Sequence, residues 1–380
     1  MQLFDVYSNY DIELVAGKGA NLLDEKGNEY LDFYGGHGVI SIGHSHPHYI
    51  FRLENQLQCL GFYSNAVKNS LQAKLACKLG KVSGYNEYKL FLCNSGAEAN
   101  ENALKLAGFH TGKKKVIAIK GAFHGRTSGA LAMTDNPTLA SSVNAAHNVE
   151  FIEMNDAIAL ENHLKYRDCA GVVIEGIQGV NGVVEPTAEF LKSARSLCDT
   201  YGAVLILDEV QSGYGRTGKF FAHQHAGIKA DVITVAKGMG NGFPIAGVLI
   251  SPDVEAKKGM LGTTFGGNHL ACAAGLAVLE ILEEESLLEN ATKMGTYLVE
   301  ELQKLNSVKA VRGKGLMIGI DLEEMPQIRT QLLKEHGIFT GASGKETLRL
   351  LPPLGITIEE AQQFLCAFSK VTQTVEVCNS

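Results

Sequence analysis

The sequence predicts an α/β protein with a large domain, built on a mostly parallel sheet with helices on both faces, and a smaller α+β domain. Three observations support this fold class. Short apolar runs alternate with helical stretches between about residues 89 and 250. Many glycines follow directly after these runs, as in enzymes whose loops at strand ends bind ligands. A long helical segment, followed by a C-terminal stretch that combines predicted strands and helices, then indicates a second domain.

The predicted strands of the large domain are seven apolar runs with helical segments between them. The strands are "KLFLC", "KVIAI", "VEFIE", "AGVVIEG", "AVLILDEV", "DVITVA" and "IAGVLIS". The helices include "AEANENALKLAGFH" and "AEFLKSARSLCDTYG". Because strand–helix alternation favours parallel pairing, ligands are expected beyond the carboxyl ends of the strands.

The two ends of the chain are predicted to pack together. Residues 1–40 contain a hairpin with a turn at Glu25–Asn28 and are expected to pack with the small domain. Residues 41–260 form the predicted large domain. Residues 261–380 begin with a long helix, broken once between 268 and 305, and end in the small domain with the strand "GLMIGIDL" and the helix "IEEAQQFLCAFSKVTQTV".

Composition excludes several classes of protein. The chain has 380 residues, 45% hydrophobic and 20% charged, as expected for a globular protein with a large core. A net charge of −7 without a basic run argues against nucleic-acid binding. We expect no membrane contact, since the sequence shows neither a signal peptide nor an apolar run of spanning length. Eight scattered cysteines without a CxxC motif predict reduced thiols in a cytoplasmic protein.

Lys237 follows the apolar strand "VITVA" and precedes the glycine-rich turn "GMGNG". Most lysines at strand ends simply extend to water through their flexible stems. A lysine that is kept partly desolvated has a lowered pKa and can form a Schiff base. This stretch alone leaves both interpretations open.

Polar residues also follow other predicted strands. In "FLCNSGAEANENALKL", Asn94 or Ser95 can cap the next helix, and Gly96 allows a ligand to approach the backbone. The free N–H groups at such a helix start suit a phosphate. In "GAFHGRTSG", Phe123 could stack on a ring and Arg126 could bind an anion.

Asp208 and Glu209 end a third apolar run, and a carboxylate buried there needs a partner. Asp208 precedes Lys237 by 29 residues, enough for a helix and the next strand, so both side chains could face one crevice. A desolvated lysine, a buried carboxylate, a phosphate cradle, a stacking aromatic ring and an arginine are together the set that pyridoxal phosphate requires. Asp208 would then keep the pyridine nitrogen protonated.

The chain resembles the class III (ω-amino acid) aminotransferases of pyridoxal phosphate (PLP) fold type I, and most closely those that act on acetylornithine and succinylornithine. The motifs that carry the resemblance are "NSGAEANENALKLA", "GAFHGRT", "LDEVQSGYGRTG", "AKGMGNGFPIAG" and "GTTFGGNHLACAAGL". They lie within a resemblance that runs from "GNEYLDFYGG" to "LRLLPPLGIT", nearly the whole chain.

The resemblance implies a role for each matching residue. Lys237 matches the Schiff-base lysine, Asp208 the partner of the pyridine nitrogen, and Gln211 the residue near the phenolic oxygen. The implied cofactor contacts are Ser95, Gly96, Ala97, Phe123, Asp208, Gln211, Lys237 and Thr264. Thr264 would reach the phosphate of the other subunit, which implies a homodimer with shared active sites. The implied substrate contacts are Arg126 for an α-carboxylate, Thr263, and Arg349 for the carboxylate of glutamate and 2-oxoglutarate.

Three positions depart from the family pattern. Where the family reads "EPIQGEGG", this chain reads "EGIQGVNG" at 175–182, so Gly176 replaces a proline. Val180 stands where the family has a glutamate that can cover the second arginine, and Arg349 is therefore expected to stay uncovered. His269 replaces a proline without an evident chemical consequence.

The expected function is transfer of the terminal δ-amine of N-acetyl- or N-succinyl-ornithine to 2-oxoglutarate. The products would be an N-acyl-glutamate semialdehyde and glutamate, in arginine biosynthesis. Ornithine and 4-aminobutyrate aminotransferases remain alternatives, as does an aminomutase that needs no oxo-acid acceptor. A non-catalytic ligand-binding protein is disfavoured by the intact Asp208–Lys237 pair.

Some conspicuous residues are expected to be structural. His44, His46 and His48 alternate in "GHSHPH", but no carboxylate or cysteine completes a metal-ligand set, so no metal site is predicted. Glu209 is expected to support hydrogen bonds near the site rather than to do chemistry.

Overall fold

The computed structural model describes residues 1–379, with the side chains of 1–144 and 147–373. The chain begins with a small sheet made of β1 (Leu14–Lys18), β2 (Asn21–Asp24) and β3 (Glu29–Asp32). Strands β2 and β3 form the predicted hairpin. Its turn is closed by the Asp24 carboxylate, which accepts hydrogen bonds from the backbone N–H groups of Lys26 and Asn28 at 2.9 and 2.8 Å.

A tight turn leads from this sheet into the helical layer. The segments are the single turn α1 (Gly35–Gly38) and the helices α2 (Pro47–Cys59) and α3 (Ser70–Ser83). All four residues of α1 have φ between 53° and 74°. Glycine adopts these left-handed angles at low cost, and His37 is the one residue of the four that has a side chain.

A seven-stranded sheet forms the centre of the molecule, in the order β4-β10-β9-β8-β7-β5-β6. The strands are β4 (Lys89–Cys93), β5 (Lys115–Ile119), β6 (Val149–Ile152), β7 (Cys169–Glu175), β8 (Val204–Asp208), β9 (Val232–Val235) and β10 (Ala246–Ile250). Strand β10 is antiparallel to both neighbours, and the other pairings are parallel. The predicted mostly parallel sheet is confirmed, and each of the seven predicted runs supplies one strand.

Helices cover both faces of this sheet. They include α4 (Gly96–Thr111), α5 (Ser128–Ala132), α6 (Ala157–Leu164) and α7 (Ala188–Tyr201). Along β8, Leu205 and Leu207 belong to the core cluster that contains the apolar side of α7, whereas Val204 and Ile206 pack with the apolar side of α4. Because side chains alternate along a strand, Asp208 falls on the α4 face.

The connection from β8 to β9 differs from the expected helical crossover. Its defined element is one 3-10 turn (Ala222–His225), and the rest of the connection is loop and turn. Strands β8 and β9 are nevertheless parallel neighbours, with Asp208 opposite Thr234. The expected placement of Asp208 and Lys237 at nearby strand ends is therefore confirmed by a different connection.

The C-terminal part contains two long helices and a second antiparallel sheet. The helices are α8 (His269–Glu284) and α9 (Leu287–Leu302), which confirm the predicted break. The remaining elements are β11 (Ala310–Lys314), β12 (Met317–Asp321), α10 (Met325–His336), β13 (Ile338–Phe339), β14 (Gly341–Ser343), β15 (Thr347–Leu350) and α11 (Ile358–Asn379). The sheet order is β11-β12-β15-β14.

The N-terminal strands contact the C-terminal elements directly. Strand β13 pairs in parallel with β3, and the Phe33 ring stacks on Phe364 with centroids 4.7 Å apart. The domain boundaries at residues 40 and 260 stay a prediction. Among the described residues, no helix has both the length and the apolar character needed to cross a membrane. The seven cysteines with described side chains are free thiols; the side chain of Cys378 lies outside the described part.

Candidate active site

Three neighbouring strands end at one cavity of about 320 Å³. Glu175 ends β7, Asp208 ends β8, and Lys237 lies two residues after β9. All three side chains line the cavity. The carboxyl edge of the parallel strands is thus the place where ionisable groups meet, as expected for a sheet of this type.

Asp208 is buried and held in one orientation by three donors. Its Oδ2 accepts hydrogen bonds from His124 Nδ1 at 2.7 Å and Asn100 Nδ2 at 2.8 Å, and its Oδ1 accepts one from the Val210 N–H at 2.9 Å. Burial alone would raise the pKa of Asp208, but these hydrogen bonds and the His124 charge outweigh burial and leave the pKa below its usual value. The carboxylate is therefore ionised at neutral pH.

Asn100 and His124 were not assigned roles from the sequence. Asn100 also donates to the His124 carbonyl at 2.8 Å and accepts from Thr234 Oγ1 at 2.8 Å, so its amide orientation is fixed. The Asp208 carboxylate raises the pKa of His124 against the opposing effect of burial. His124 is part of the motif "GAFHGRT". Its contact with Asp208 could not be read from the motif, because it depends on where the loop after β5 lies relative to the end of β8.

Lys237 has a left-handed backbone, with φ of 43°, which is uncommon for a residue other than glycine. The following turn is fixed by Asn241, whose Oδ1 accepts from the N–H groups of Ser41 and Ile42 at 2.8 and 3.1 Å. Burial lowers the pKa of the Lys237 amine, opposed by the charges of Asp208 and Glu175. This amine has no hydrogen-bond or ion-pair partner within the described part of the chain, so it is available to react.

The start of α4 has the capped helix N-terminus expected of an anion site. Ser95 caps the helix by accepting from the Glu98 N–H, and Glu98 bonds back to the Ser95 N–H. Gly96 packs against Val210 so closely that an added Cβ would lie 2.9 Å from a valine methyl group. Ser95, Gly96 and Ala97 line the cavity, and the helix dipole there favours a bound phosphate.

Phe123 and Gln211 lie on the cavity wall. The Phe123 N–H donates to Glu175 Oε1 at 2.9 Å. Gln211 Nε2 donates to the His37 carbonyl at 2.9 Å, while Gln211 Oε1 is buried without a partner among described atoms. A buried acceptor oxygen of this kind suits a ligand that can donate a hydrogen bond to it.

Four predicted site residues do not line this cavity in the single chain: Arg126, Thr263, Thr264 and Arg349. Arg126 and Thr264 are exposed. Thr263 Oγ1 accepts from Asn94 Nδ2 at 3.4 Å and so contacts a residue of the cavity wall. The roles proposed for these residues stay predictions.

Arg349 is 5% exposed and bonds to carbonyl groups instead of carboxylates. Its Nε donates to the Ala342 carbonyl and its Nη1 to the Gly179 carbonyl, both at 3.0 Å. Burial lowers its pKa. No ion pair joins Arg349 to any carboxylate whose side chain is described. Val180 follows the Gly179 contact directly and has 46% of its surface exposed.

Glu175 is a second carboxylate at the cavity, beside Asp208, and the sequence analysis gave it no role. The signal was present, since Glu175 ends an apolar run as Asp208 does. Burial raises the pKa of Glu175 to about 7, opposed by the His124 charge. Gly176 follows it at a point where an added Cβ would lie 2.6 Å from Ser212 Oγ.

The features expected to be structural have protein partners. His44 bonds to Asp32 at 2.8 Å, and His46 and His48 bond to glutamates. Glu209 accepts from His223 Nδ1 at 2.7 Å and from Ser212 Oγ at 2.6 Å. No metal-binding cluster of histidine, cysteine or carboxylate occurs among the described residues.

Comparisons with known proteins give one consistent result. The family model for Aminotransferase class-III matches residues 5–372. An acetylornithine aminotransferase of Bacillus subtilis (strain 168) is 40% identical over 98% of this chain and 97% of its own length. One from Bacillus cereus is 39% identical over 99% and 98%, respectively.

Solved structures show the same similarity. An acetylornithine aminotransferase from Elizabethkingia anophelis has a TM-score of 0.86 and 32% identity, covering 98% of this chain and 96% of that one. An ornithine aminotransferase from Toxoplasma gondii has a TM-score of 0.92 and 31% identity, covering 98% and 93%.

Proposed function

This chain belongs to the class-III aminotransferases, which depend on pyridoxal phosphate, and we propose that it moves the δ-amine of an N-acylated ornithine to 2-oxoglutarate. The observation that carries aminotransferase chemistry is the arrangement of Lys237 and Asp208 at adjacent strand ends beside the α4 N-terminus. The full-length similarity to acetylornithine aminotransferases supports the substrate.

The residues of the cavity fit pyridoxal phosphate. The Lys237 amine, an ionised carboxylate at Asp208 and a capped helix start at Ser95 face one space. Within the described part of the chain, neither the Lys237 amine nor Gln211 Oε1 has a hydrogen-bond partner. Lys237 would bind the aldehyde, Asp208 the ring nitrogen, and the turn at Ser95, Gly96 and Ala97 the phosphate. Phe123 would stack on the ring. When bound, the cofactor supplies an electron sink that acidifies the carbon bearing the amine.

The chain's own groups would then position the substrate and move its proton. The Lys237 amine, with its pKa lowered by burial, is the general base that takes a proton from the terminal carbon of the donor. Arg126 would bind the α-carboxylate of the N-acylornithine, and Arg349 a carboxylate of 2-oxoglutarate or glutamate. The products would be an N-acyl-glutamate semialdehyde and glutamate, consistent with a role in arginine biosynthesis.

Val180 favours a donor with an additional carboxylate. Arg349 contacts only uncharged acceptors, the carbonyls of Ala342 and Gly179, among the described groups. A valine cannot neutralise the guanidinium, and a cation left unpaired in a shielded pocket is costly. N-succinylornithine carries a carboxylate that N-acetylornithine lacks. We expect succinylornithine to be a good donor and free ornithine a poor one.

An amino-donor panel with 2-oxoglutarate tests the substrate. Acetylornithine, succinylornithine, ornithine and 4-aminobutyrate are compared by kcat/KM. Highest kcat/KM for an N-acylornithine supports the proposal, and highest kcat/KM for ornithine or 4-aminobutyrate refutes it. Turnover without any oxo acid would instead identify an aminomutase.

The proposal includes a homodimer with shared sites. Exposed apolar residues occur at the end of α2, in the segment that follows it and next to Thr264 in the chain. They include Leu57, Leu60, Phe62, Tyr63 and Phe265, with exposed fractions from 43% to 66%. The Phe62 and Phe265 rings lie 5.5 Å apart. Burial of such a patch against a second copy would stabilise a dimer and bring Thr264 to the partner's cavity.

Mixed dimers test the shared site. Lys237→Ala and Thr264→Ala are each expected to lower activity. After subunit exchange, one site of each hybrid dimer contains both native residues, so activity returns if Thr264 serves the partner. Absence of recovery in confirmed hybrids would place Thr264 in its own site or outside both. The cytoplasmic location stays a prediction.

A further inference from the structure

The Glu175 carboxylate joins two loops of the site. Its Oε1 accepts the Phe123 N–H at 2.9 Å, and its Oε2 accepts the Gly179 N–H at 3.3 Å. Phe123 belongs to the loop after β5, and Gly179 to the loop after β7. Glu175 is 6% exposed and lines the cavity between them.

The second loop continues to Arg349. The Gly179 carbonyl accepts the hydrogen bond from Arg349 Nη1 at 3.0 Å, and the next carbonyl, of Val180, accepts one from Ser343 Oγ. The Gly179 peptide units therefore contact Glu175 on one side and the guanidinium on the other. Gln178 adds a second connection between the loops, donating to the Lys120 carbonyl at 3.0 Å.

We propose that Glu175 is a positioning residue that couples the cofactor side of the site, at Phe123, to the substrate-carboxylate side, at Arg349. The proposal rests on the proposed role of Arg349 in binding 2-oxoglutarate. Neither of the two backbone donors can be moved without displacing a loop. A change at the carboxylate is therefore transmitted both to Phe123 on the cavity wall and to the loop that bonds to Arg349.

The coupling depends on the charge of Glu175. An ionised carboxylate accepts at both oxygens, whereas a carboxylic acid carries a proton on one of them. Burial raises the pKa of this carboxyl to about 7, so the two forms exchange near neutral pH. The charged groups that act on it are His124, Asp208, Lys237 and Arg349. The coupling should strengthen as the pH rises through this range.

Glu175→Gln tests the coupling with little change in volume. The amide offers one oxygen, which should keep the shorter bond to the Phe123 N–H and release Gly179. We expect faster backbone hydrogen exchange in the peptide covering 176–183, and a KM for 2-oxoglutarate raised about tenfold. The KM for acetylornithine and the dissociation constant of pyridoxal phosphate should change less than about twofold. This is well under the roughly tenfold change that loss of one such hydrogen bond would cause.

Glu153→Gln is the matched control. Glu153 follows β6 directly, but it is exposed and pairs with Lys120. This variant should match the wild type in the backbone hydrogen exchange of 176–183 and in the KM values for 2-oxoglutarate and acetylornithine. Unchanged exchange and an unchanged 2-oxoglutarate KM in Glu175→Gln would overturn the coupling. So would equal increases in both KM values and the cofactor dissociation constant, which would indicate general loss of structure.

The wild-type protein provides a test that needs no variant. After correction for intrinsic exchange, protection of 176–183 should fall as the pH drops below about 7, where Glu175 gains its proton. A pH-independent protection would contradict the proposal. If the wild type does not use 2-oxoglutarate, the proposed function fails, but hydrogen exchange still decides whether Glu175 couples the loops.

Discussion

Replacing Asp208 with asparagine separates the role of its charge from its role in the fold. The carboxylate accepts three hydrogen bonds, and asparagine keeps one oxygen for the Val210 N–H. Its NH2 group would then face His124 Nδ1 and Asn100 Nδ2, which both donate to the native carboxylate. His124 can adapt by moving its proton to Nε2, which has no partner among the described atoms.

Asn100 cannot adapt in the same way. A flip of its amide would break the bonds to Thr234 and to the His124 carbonyl. At least one buried donor, Asn100 Nδ2, therefore loses a partner in Asp208→Asn, and each such loss costs about 1–3 kcal/mol of unfolding free energy. The protein should fold and bind the cofactor, because the proposed phosphate and aldehyde contacts do not involve Asp208.

Turnover should fall much more than stability. A neutral amide cannot keep the ring nitrogen protonated, and one charge-assisted hydrogen bond of about 1.5–3 kcal/mol is lost. Since about 1.4 kcal/mol corresponds to a factor of ten, the half-reaction rates should fall by at least one to two orders of magnitude. Single-turnover absorbance measures the rates, and urea unfolding measures the stability.

Asp231→Asn is the control for loss of a partly buried carboxylate contact. Asp231 lies at the opposite end of the sheet, where it accepts from the Leu205 N–H at 2.6 Å and pairs with Arg195. This variant should lose stability and keep its rate. Near-normal turnover of Asp208→Asn with bound cofactor, or an equal rate loss in Asp231→Asn, would refute the role of Asp208.

Four further predictions concern the same site. Lys237→Ala should abolish turnover with the fold intact, as circular dichroism would show; a borohydride-trappable lysine at another position would contradict the assignment. Arg126→Ala should slow mainly the N-acylornithine half-reaction, and Arg349→Ala mainly the 2-oxoglutarate half-reaction. Each variant loses one charge-assisted carboxylate contact worth about 1.5–3 kcal/mol. Single-turnover spectra measure the two half-reactions separately. Equal rate losses of both half-reactions in both variants would refute the assignment of one arginine to each half-reaction. Val180→Glu should shift kcat/KM toward acetylornithine, whereas a native preference for acetylornithine would refute the Val180 argument. Because the pKa of Glu175 is raised from 4.5 to about 7, the folded state holds more protons than the unfolded state between these values. The unfolding free energy should therefore fall as the pH rises through this window, and Glu175→Gln should remove that part of the dependence.

The pattern of a polar residue at the end of an apolar run predicted Lys237 and Asp208, because it can be recognised within a few residues of sequence. Lys237 and Asp208 each end an apolar run, and a sheet with parallel strands brings such ends together. Glu175 has the same pattern and could have been found by the same reasoning. Reversal of β10 was not predictable, because a strand buried on both faces lacks a pattern that marks its direction.

Contacts between distant segments could not be predicted from the sequence. Asn100 meets Asp208 because α4 crosses the sheet on the face to which Asp208 points. Arg349 bonds to Gly179, which lies 170 residues earlier in the chain. These pairings arise from tertiary packing, and no local propensity marks either partner.

The segment between β3 and α2 contacts the neighbourhoods of both Lys237 and Arg349. Ser41 Oγ donates to the Gly238 carbonyl at 2.8 Å, directly after Lys237, and the His37 carbonyl accepts from Gln211. The Phe33 carbonyl accepts from the Leu351 N–H at 2.9 Å, two residues after Arg349. Residues 33–41 thus contact the turn after Lys237 through the Ser41 hydroxyl, Gln211 through the His37 carbonyl and the strand end after Arg349 through the Phe33 carbonyl. Since the left-handed angles of Gly35, Gly36 and Gly38 permit this path, the glycine content of "YGGHG" is a requirement of the site rather than of the core.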